Sequence, residues 1–506
     1  MAVSRRIAAD VVVIGAGIVG TAIARELSRY DVSVVLVEKK SDVASGTTKA
    51  NTALVHAGYD AEPGTLKARL NLAGNALYPK VCAELGVLYK NTGSLVVALD
   101  EGQMPYIRKL KAKGEKNGVA GLEVISRERI LELEPYVNPG AVGALWAPTG
   151  GITCPWELAI AYAENAVHNG AQVMLDSPVT SIDVYDGRVT TVHCPDISID
   201  TRFAVNAAGI WADDVERMAG RDDFRVTPRR GEYYLFDKRV SYIANRPLFP
   251  VPTEFSKGIV VAPTVDGNLL AGPNSVLIGE KGDDATTAPG LAEVLEGARK
   301  LVPNLPVREA ITNFAGLRAV AEPGGDFVIG ASPGVPNFIN AAGIQSPGLT
   351  AAPAIAEMVR DILSDAGLEL KEKPDFDPIH KRPLRFTELT REKQAELVAE
   401  DPRWGHIICR CETVTEAEIV AALHSPVPCT TVDGVKFRTR AGAGRCQGGF
   451  CGPRVVAIIG RELGIPIEEV TKKGGMSRVV VGPSKEPLIK CSCTSADTGE
   501  EAGGDA

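Results

Sequence analysis

Three groups of residues in this 506-residue chain have the types and spacing to do chemistry. The first is V-V-V-I-G-A-G-I-V-G, residues 11–20, followed by Glu38. Four β-branched residues make a short buried strand, and an apolar helical run begins at Ile18. Gly15 permits a tight turn, Gly17 lets backbone N–H groups approach a pyrophosphate, and Gly20 lets the helix pack closely on the strand. The helix N-terminus favours the anion. Glu38 ends a second β-branched strand, at the distance where a carboxylate accepts a ribose hydroxyl. Together these predict dinucleotide binding; an ordinary glycine-rich turn would leave Glu38 unexplained. The second group is His56 and Arg318. His56 sits in S-G-T-T-K-A-N-T-A-L-V-H-A-G-Y, a stretch of small and hydroxyl residues suited to threading beside a large flat ligand. Arg318 ends F-A-G-L-R, where a cation can hold an anionic substrate. The bland alternatives are a core histidine and a surface ion pair.

The third group is cysteine. Only Cys82, Cys154 and Cys194 precede residue 400, whereas Cys409, Cys411, Cys429, Cys446, Cys451, Cys491 and Cys493 follow it. Such clustering without a secretion signal points to metal ligands before disulfides. C-R-C and C-Q-G-G-F-C fit structural zinc or an iron–sulfur centre. Spacers of one and four residues favour a 2Fe–2S cluster on Cys409, Cys411, Cys446 and Cys451, with nearby glycines freeing N–H groups to face sulfur. Cys429 has no partner and reads as a buried apolar residue. Cys491 and Cys493 lie on a polar tail.

The elements that must position these groups follow from pattern. Residues 156–169 form a helix ended by Gly170, and residues 89–99 and 142–147 read as strands. Residues 203–213, F-A-V-N-A-A-G-I-W-A-D, run from a buried strand into Gly209. Residues 225–236 and 258–270 are strand-like and predict a mostly antiparallel sheet inserted between parts of the nucleotide domain. A-G-I-Q-S-P-G-L opens a helix over 351–363. Residues 371–385 read as a linker, 388–400 as an amphipathic helix, and the tail beyond about 485 as disordered. A net charge of −8 argues against nucleic acid. No apolar signal core follows residue 6 and no stretch is long enough to span a bilayer. A soluble cytoplasmic protein is expected, with any membrane contact peripheral and through a partner.

The fingerprint, N-A-A-G-I-W-A-D, F-A-G-L-R and A-G-I-Q-S-P-G-L together resemble the D-amino-acid oxidase superfamily of flavoproteins over roughly residues 8–363. The resemblance implies FAD rather than NAD, held by Gly15, Gly17, Gly20, Glu38, Thr47, Asn51, Val179, Ala208, Gly209, Gly343, Gly348 and Leu349. The cysteine module resembles the bacterioferritin-associated ferredoxin domain, which implies the 2Fe–2S cluster. The pairing of the two looks like the large-subunit family of anaerobic glycerol-3-phosphate dehydrogenases, and it also occurs in flavin dehydrogenases for opines and proline. N-T-A-L-V-H-A-G-Y with P-G-T-L-K-A-R-L is similar to L-2-hydroxyglutarate dehydrogenases. Glycerol-3-phosphate enzymes often carry an Arg four residues after the His; Asp60 stands there, which keeps a carboxylate substrate open.

The expected architecture is therefore α/β. A Rossmann-like FAD part (about 1–75, 150–220 and 310–370) interleaves with an antiparallel β-rich substrate part (about 76–149 and 221–309). A linker and helix (371–403), a small α+β iron–sulfur domain (404–484) and a tail (485–506) complete the chain. The expected activity is FAD-dependent dehydrogenation of a small anionic alcohol. His56 would accept the hydroxyl proton and Arg318 would hold the phosphate or carboxylate. Electrons would leave through the cluster to a flavoprotein or iron–sulfur subunit of a hetero-oligomer, or to a quinone. A C–N dehydrogenase for an amino acid or opine would use Arg318 without a hydroxyl base. A non-catalytic electron-transfer subunit would use neither.

Overall fold

The structure is a computed structural model and describes residues 5–252, 258–482 and 484–485. Cys491 and Cys493 lie outside the described residues.

Strand Arg5–Ile14 is the centre of the first sheet. Val11, Val12 and Val13 have no exposed surface, as expected of a parallel strand covered on both faces. It pairs in parallel with Val34–Val37 on one side and with Ile197–Asn206 on the other. Gln172–Met174 extends the sheet beyond Val34–Val37. The long Ile197–Asn206 strand gives its first half to Arg188–Cys194, antiparallel, and its last residues to Val335–Ala342, parallel. Helix Ile18–Leu27 is buried along its whole length. It packs between helices Pro155–His168 and Gly348–Asp365.

The second sheet has nine strands, antiparallel except where Leu248–Pro250 meets Ser94–Ala98. Its longest pair is Arg225–Phe236 with Ala310–Glu322. Strand 310–322 therefore belongs to this sheet, not to the nucleotide part where its position in the sequence placed it. Its apolar alternation says that one face is buried, but not against which sheet. The strand expected over 89–99 is in fact two. Tyr89–Lys90 joins a small three-stranded sheet and Ser94–Ala98 joins the second sheet. The break is Gly93, at φ +66°, where a Cβ would lie 1.9 Å from the Trp146 ring. The run over 258–270 likewise divides into Val260–Pro263 and Leu269–Gly272 around a turn at 264–268.

The expected linker is fastened along its length. Asp31 N–H donates to Lys371 O at 2.8 Å and Lys373 N–H to Arg29 O at 2.8 Å. His380 pairs with Glu164 at 2.8 Å, and Arg385 pairs with Glu157 and with Asp266. Helix Arg391–Glu400 follows, with Thr390 as its N-cap. The cysteine module is a two-stranded ladder, Ile407–Cys409 with Val414–Thr415, and helices Glu416–Leu423, Val432–Thr439 and Gly452–Leu463. Thr415 and Glu418 close a capping box on the first of these helices.

The module docks on the nucleotide domain through a bidentate pair. Arg438 Nη1 and Nη2 reach the Asp42 carboxylate at 2.6 and 2.9 Å, with side chains only 4% and 7% exposed. Phe437 lies beside Trp156, ring centroids 5.5 Å apart. Breaking a buried pair leaves an uncompensated charge, which costs about 3–5 kcal/mol. Arg438→Met should accordingly lower the unfolding midpoint and make limited proteolysis release the segment after about Arg403. An unchanged midpoint and digestion pattern would show that the pair does not hold the module.

Candidate active site

The fingerprint turn is built by close backbone approach. Gly15 N–H donates to Val37 O at 2.8 Å and Ala207 N–H to Ile14 O at 2.9 Å. Gly15 has φ +103°, and a Cβ there would lie 2.5 Å from Ala207 O. A Cβ on Gly20 would lie 1.9 Å from Gly15 O. Gly17 differs: it caps the helix without a side-chain bond, and its Cβ would meet only Thr48 Oγ1, at 3.3 Å. The fold needs glycine at 15 and 20, while the space in front of Gly17 stays open. Glu38 accepts from Ala16 N–H at 2.8 Å and Lys40 N–H at 2.9 Å. Burial pushes its carboxyl above the usual range, against the pull of those two donors. Its backbone bonds to Met174 O and Ser177 N fix residues 174–177 beside it, and Val179 lies two residues further on.

The segment from 41 to 56 is held from three sides. Ala44 N–H donates to Ala16 O at 2.8 Å, and Ile18 N–H donates to Thr48 Oγ1 at 3.0 Å. Thr47 Oγ1 donates to Leu317 O at 2.6 Å. The Asn51 amide closes its own turn, donating to Thr47 O and Thr48 O and accepting from Ala53 N–H. Gly316 lets the second sheet approach, because a Cβ there would lie 1.9 Å from Ala50 O. The glycine of F-A-G-L-R is thus a contact with the dinucleotide half.

His56 follows the short strand Leu54–Val55. Its N–H donates to Thr350 Oγ1 at 2.9 Å, and its carbonyl accepts from Asn71 at 3.0 Å and Asn75 at 3.1 Å. Nε2 lies 3.3 Å from Ser346 Oγ, and the ring sits 6.1 Å from Phe249. Arg318 is half-buried on strand Ala310–Glu322. Its guanidinium donates to Asn274 O at 3.1 Å and to Ser275 Oγ at 3.5 Å. Burial raises the Tyr233 hydroxyl above its ordinary value against the pull of Arg318 and Thr52, so Tyr233 sits between the Arg318 strand and the His56 segment. Among the described residues, the hydrogen-bond partners of Arg318 are neutral. Ser346 lies in A-G-I-Q-S-P-G-L; Tyr233 has no signal beyond the strand-like run 225–236, and Phe249 lies outside every patterned run.

The remaining candidates lie around this segment. Asn206 in N-A-A-G donates to Ala212 O at 2.8 Å and to Asn340 Oδ1 at 2.9 Å, which leaves Ala208 and Gly209 at the strand end. Gly343 has φ +66°, and a Cβ there would lie 2.5 Å from Ala321 Cβ. Gly348 opens helix Gly348–Asp365, and Leu349 O accepts from Tyr78 at 2.5 Å.

In the cysteine module, Cys411 and Cys446 have sulfurs 3.6 Å apart, and Cys409 is hydrogen-bonded to Cys451. The Cys409 thiol is pulled down to about 6, chiefly by Cys451, helped by N–H groups of Gly442, Glu412 and Cys411, despite burial. Cys446 is lowered by N–H groups of Phe450 and Gly448. Backbone donors facing sulfur favour thiolate, the form that ligates iron. Among the described residues no three His, Cys, Asp or Glu side chains gather to hold a single ion; the thiols meet as two pairs. Cys429 is buried, its Sγ 3.4 Å from Ala422 O, and burial pushes its thiol up to about 11.

Residues 10–362 match the family described as FAD dependent oxidoreductase. The chain belongs to that family. Residues 407–461 of this flavoenzyme match a BFD-like [2Fe-2S] binding domain, so FAD and a 2Fe–2S cluster are its cofactors. It is 47% identical to a glycerol 3-phosphate dehydrogenase of Caloramator mitchellensis over 95% of this chain and 99% of the relative. It is 32% identical to human mitochondrial L-2-hydroxyglutarate dehydrogenase over 53% of this chain and 61% of that protein. Among solved structures, the dithionite-reduced L-alpha-glycerophosphate oxidase of Mycoplasma pneumoniae with FAD bound aligns with TM-score 0.71 at 32% identity. That alignment covers 74% of this chain and 99% of the oxidase. No helix among the described residues is long and apolar enough to cross a membrane.

The cradle fits FAD: the open face at Gly17 leaves room for a pyrophosphate on the helix N-terminus, and the Glu38 carboxylate is held beside it by Ala16 N–H. Gly17→Val should therefore give a folded, colourless protein that takes up FAD poorly, whereas Gly20→Ala should fail to fold. A Gly17→Val protein as yellow as the wild type would remove Gly17 from the cofactor site. The paired thiols fit a cluster ligated two sulfurs to each iron. Cys446→Ser should abolish the low-temperature EPR signal of the reduced cluster and destabilise the segment after about Arg403, because ligation and local folding are coupled. The flavin domain should stay folded and yellow. Stoichiometric zinc without iron in anaerobically prepared wild-type protein would contradict the assignment.

Proposed function

We propose that this flavoenzyme oxidises the secondary alcohol of glycerol 3-phosphate to the ketone and passes the electrons through its 2Fe–2S cluster to a partner. The observation that carries the reading is Arg318, a half-buried guanidinium whose hydrogen-bond partners are Asn274 O and Ser275 Oγ, both neutral, with Tyr233 beside it. Its charge is left for an anion. The similarity to a glycerol 3-phosphate dehydrogenase, which runs through both the flavin and the cysteine regions, supports phosphate as that anion.

Bound FAD supplies the two-electron acceptor for the hydride leaving the substrate carbon. The chain's residues bind, orient and deprotonate. Arg318 clamps the phosphate with charge-assisted hydrogen bonds and fixes which carbon faces the reaction. His56 accepts the hydroxyl proton at Nε2, and its backbone bonds to Thr350, Asn71 and Asn75 hold the imidazole in place. Tyr233 keeps the Arg318 strand in register with the His56 segment. The electron-accepting partner is a flavoprotein or iron–sulfur protein, which would also provide any peripheral membrane contact of a cytoplasmic enzyme.

Anaerobic bleaching of the flavin by sn-glycerol 3-phosphate, L-2-hydroxyglutarate and proline tests the substrate. Bleaching by glycerol 3-phosphate alone is expected; bleaching only by the hydroxy acid, or only by the amine, would replace the substrate class. Arg318→Ala should weaken substrate binding by about 1.5–3 kcal/mol, roughly 10- to 150-fold, with less effect on the limiting bleaching rate. His56→Ala should slow bleaching by about 10²–10⁴ at unchanged affinity. The wild-type rate should fall at low pH, because only neutral imidazole accepts the proton. That fall should vanish in His56→Ala, and wild-type kinetics in both variants would remove these residues from the mechanism.

A further inference from the structure

The four thiols of the cluster site do not share one environment. Cys409 and Cys451 are buried, whereas Cys411 and Cys446 are exposed. The Cys411/Cys446 edge is where the site meets its surroundings, and electrons crossing there travel the shortest way out. Phe450 stands beside that edge, its N–H donating to the Cys446 sulfur and its side chain 47% exposed. Arg410 and Arg454, both exposed, place their guanidinium carbons 4.7 and 5.4 Å from the Phe450 ring centroid. Arg445 is occupied elsewhere, 3.3 Å from both Asp237 and Glu309. Among the described residues, Arg410 and Arg454 form no ion pair. An exposed aromatic ring with an arginine rim has the composition enriched at protein interfaces. Its positive sign opposes the chain's net charge of −8.

We propose that Arg410, Phe450 and Arg454 form the docking surface for an acidic one-electron carrier protein, which takes electrons over the Cys411/Cys446 edge. The proposal rests on the reading that electrons leave through the cluster. Oxidation of one alcohol to the ketone releases two electrons and two protons. Two carriers are therefore reduced by one electron each per turnover, and the protons go to solvent. A patch of this size suits the small, transient interfaces of electron-transfer encounters. Charge complementarity there acts mainly on the association rate and weakens with salt.

The test uses the holoenzyme and two acceptors of one fold and opposite charge: native cytochrome c, which is basic, and succinylated cytochrome c, which is acidic. The enzyme is reduced with sn-glycerol 3-phosphate and, separately, with one equivalent of dithionite before stopped-flow mixing. Failure of the substrate alone would overturn the substrate assignment and leave the docking measurement intact. At low salt the succinylated protein should be reduced faster by on the order of tenfold, an advantage that shrinks as salt rises. Arg410→Glu with Arg454→Glu should reverse the preference, Arg410→Gln with Arg454→Gln should abolish it, and Phe450→Ala should slow the acidic acceptor. Flavin bleaching and the reduced-cluster EPR signal should stay at wild-type values in all three. Equal rates for the two cytochromes at low salt, with no salt dependence in the wild-type enzyme, would overturn the proposal. So would a preference for the acidic acceptor that survives the charge reversal. Binding to phosphatidylglycerol vesicles that the charge reversal abolishes, without any preference between cytochromes, would make the patch a membrane contact and overturn it equally.

Discussion

The segment from Asp42 to Asn51 is the constraint on which the other parts depend. Asp42 is gripped by Arg438 of the cysteine module. Two residues on, Ala44 is bonded to Ala16 of the fingerprint. Thr48 accepts from the first residue of the fingerprint helix, and Thr47 donates to Leu317 of the second sheet. Nucleotide turn, substrate sheet and cluster module thus meet on one short run. A buried ion pair is a costly way to join two domains, since desolvation offsets most of the attraction. Its return is specificity of placement: a bidentate pair admits few orientations, and the module is set against the nucleotide domain in one of them.

The second sheet is joined to this run by approach of backbone to backbone. At Gly316 the chain passes so close to Ala50 that no side chain fits. Arg318 lies two residues further along the same strand, so the guanidinium and the segment leading to His56 are registered without any direct bond between them. Tyr233, on the neighbouring strand, sits beside both Arg318 and Thr52.

What the sequence made legible was chemistry carried by local spacing. The glycines at 15, 17 and 20, the acid at 38 and the paired cysteines are short patterns whose meaning survives without knowledge of the fold. What it hid were partners far apart in the chain. Strand Ala310–Glu322 alternates like any half-buried strand, and only its partner Arg225–Phe236 assigns it to the second sheet. The break at Gly93 is set by Trp146, more than fifty residues away in the chain. The run over 371–385 is charged and proline-rich, which reads as a linker because its carboxylate partners Glu157, Glu164 and Asp266 lie on distant elements. Gly17 has a local signature in the fingerprint, whereas Gly316 is one residue of F-A-G-L-R and its closeness to Ala50 has none.

The pairing order of the first sheet bears on how the chain is made. Strand Arg5–Ile14 leaves the ribosome before its partners, yet one edge waits for Ile197–Asn206, which in turn waits for Val335–Ala342. Arg225–Phe236 likewise waits for Ala310–Glu322. Each pairing closes a long loop before any contact compensates for it, the topology that folds slowly. A nascent chain shorter than about 340 residues therefore carries both sheets with open edges, the species most prone to aggregate. The cysteine module emerges after both sheets, and its docking residue Asp42 has by then waited for almost four hundred residues of synthesis.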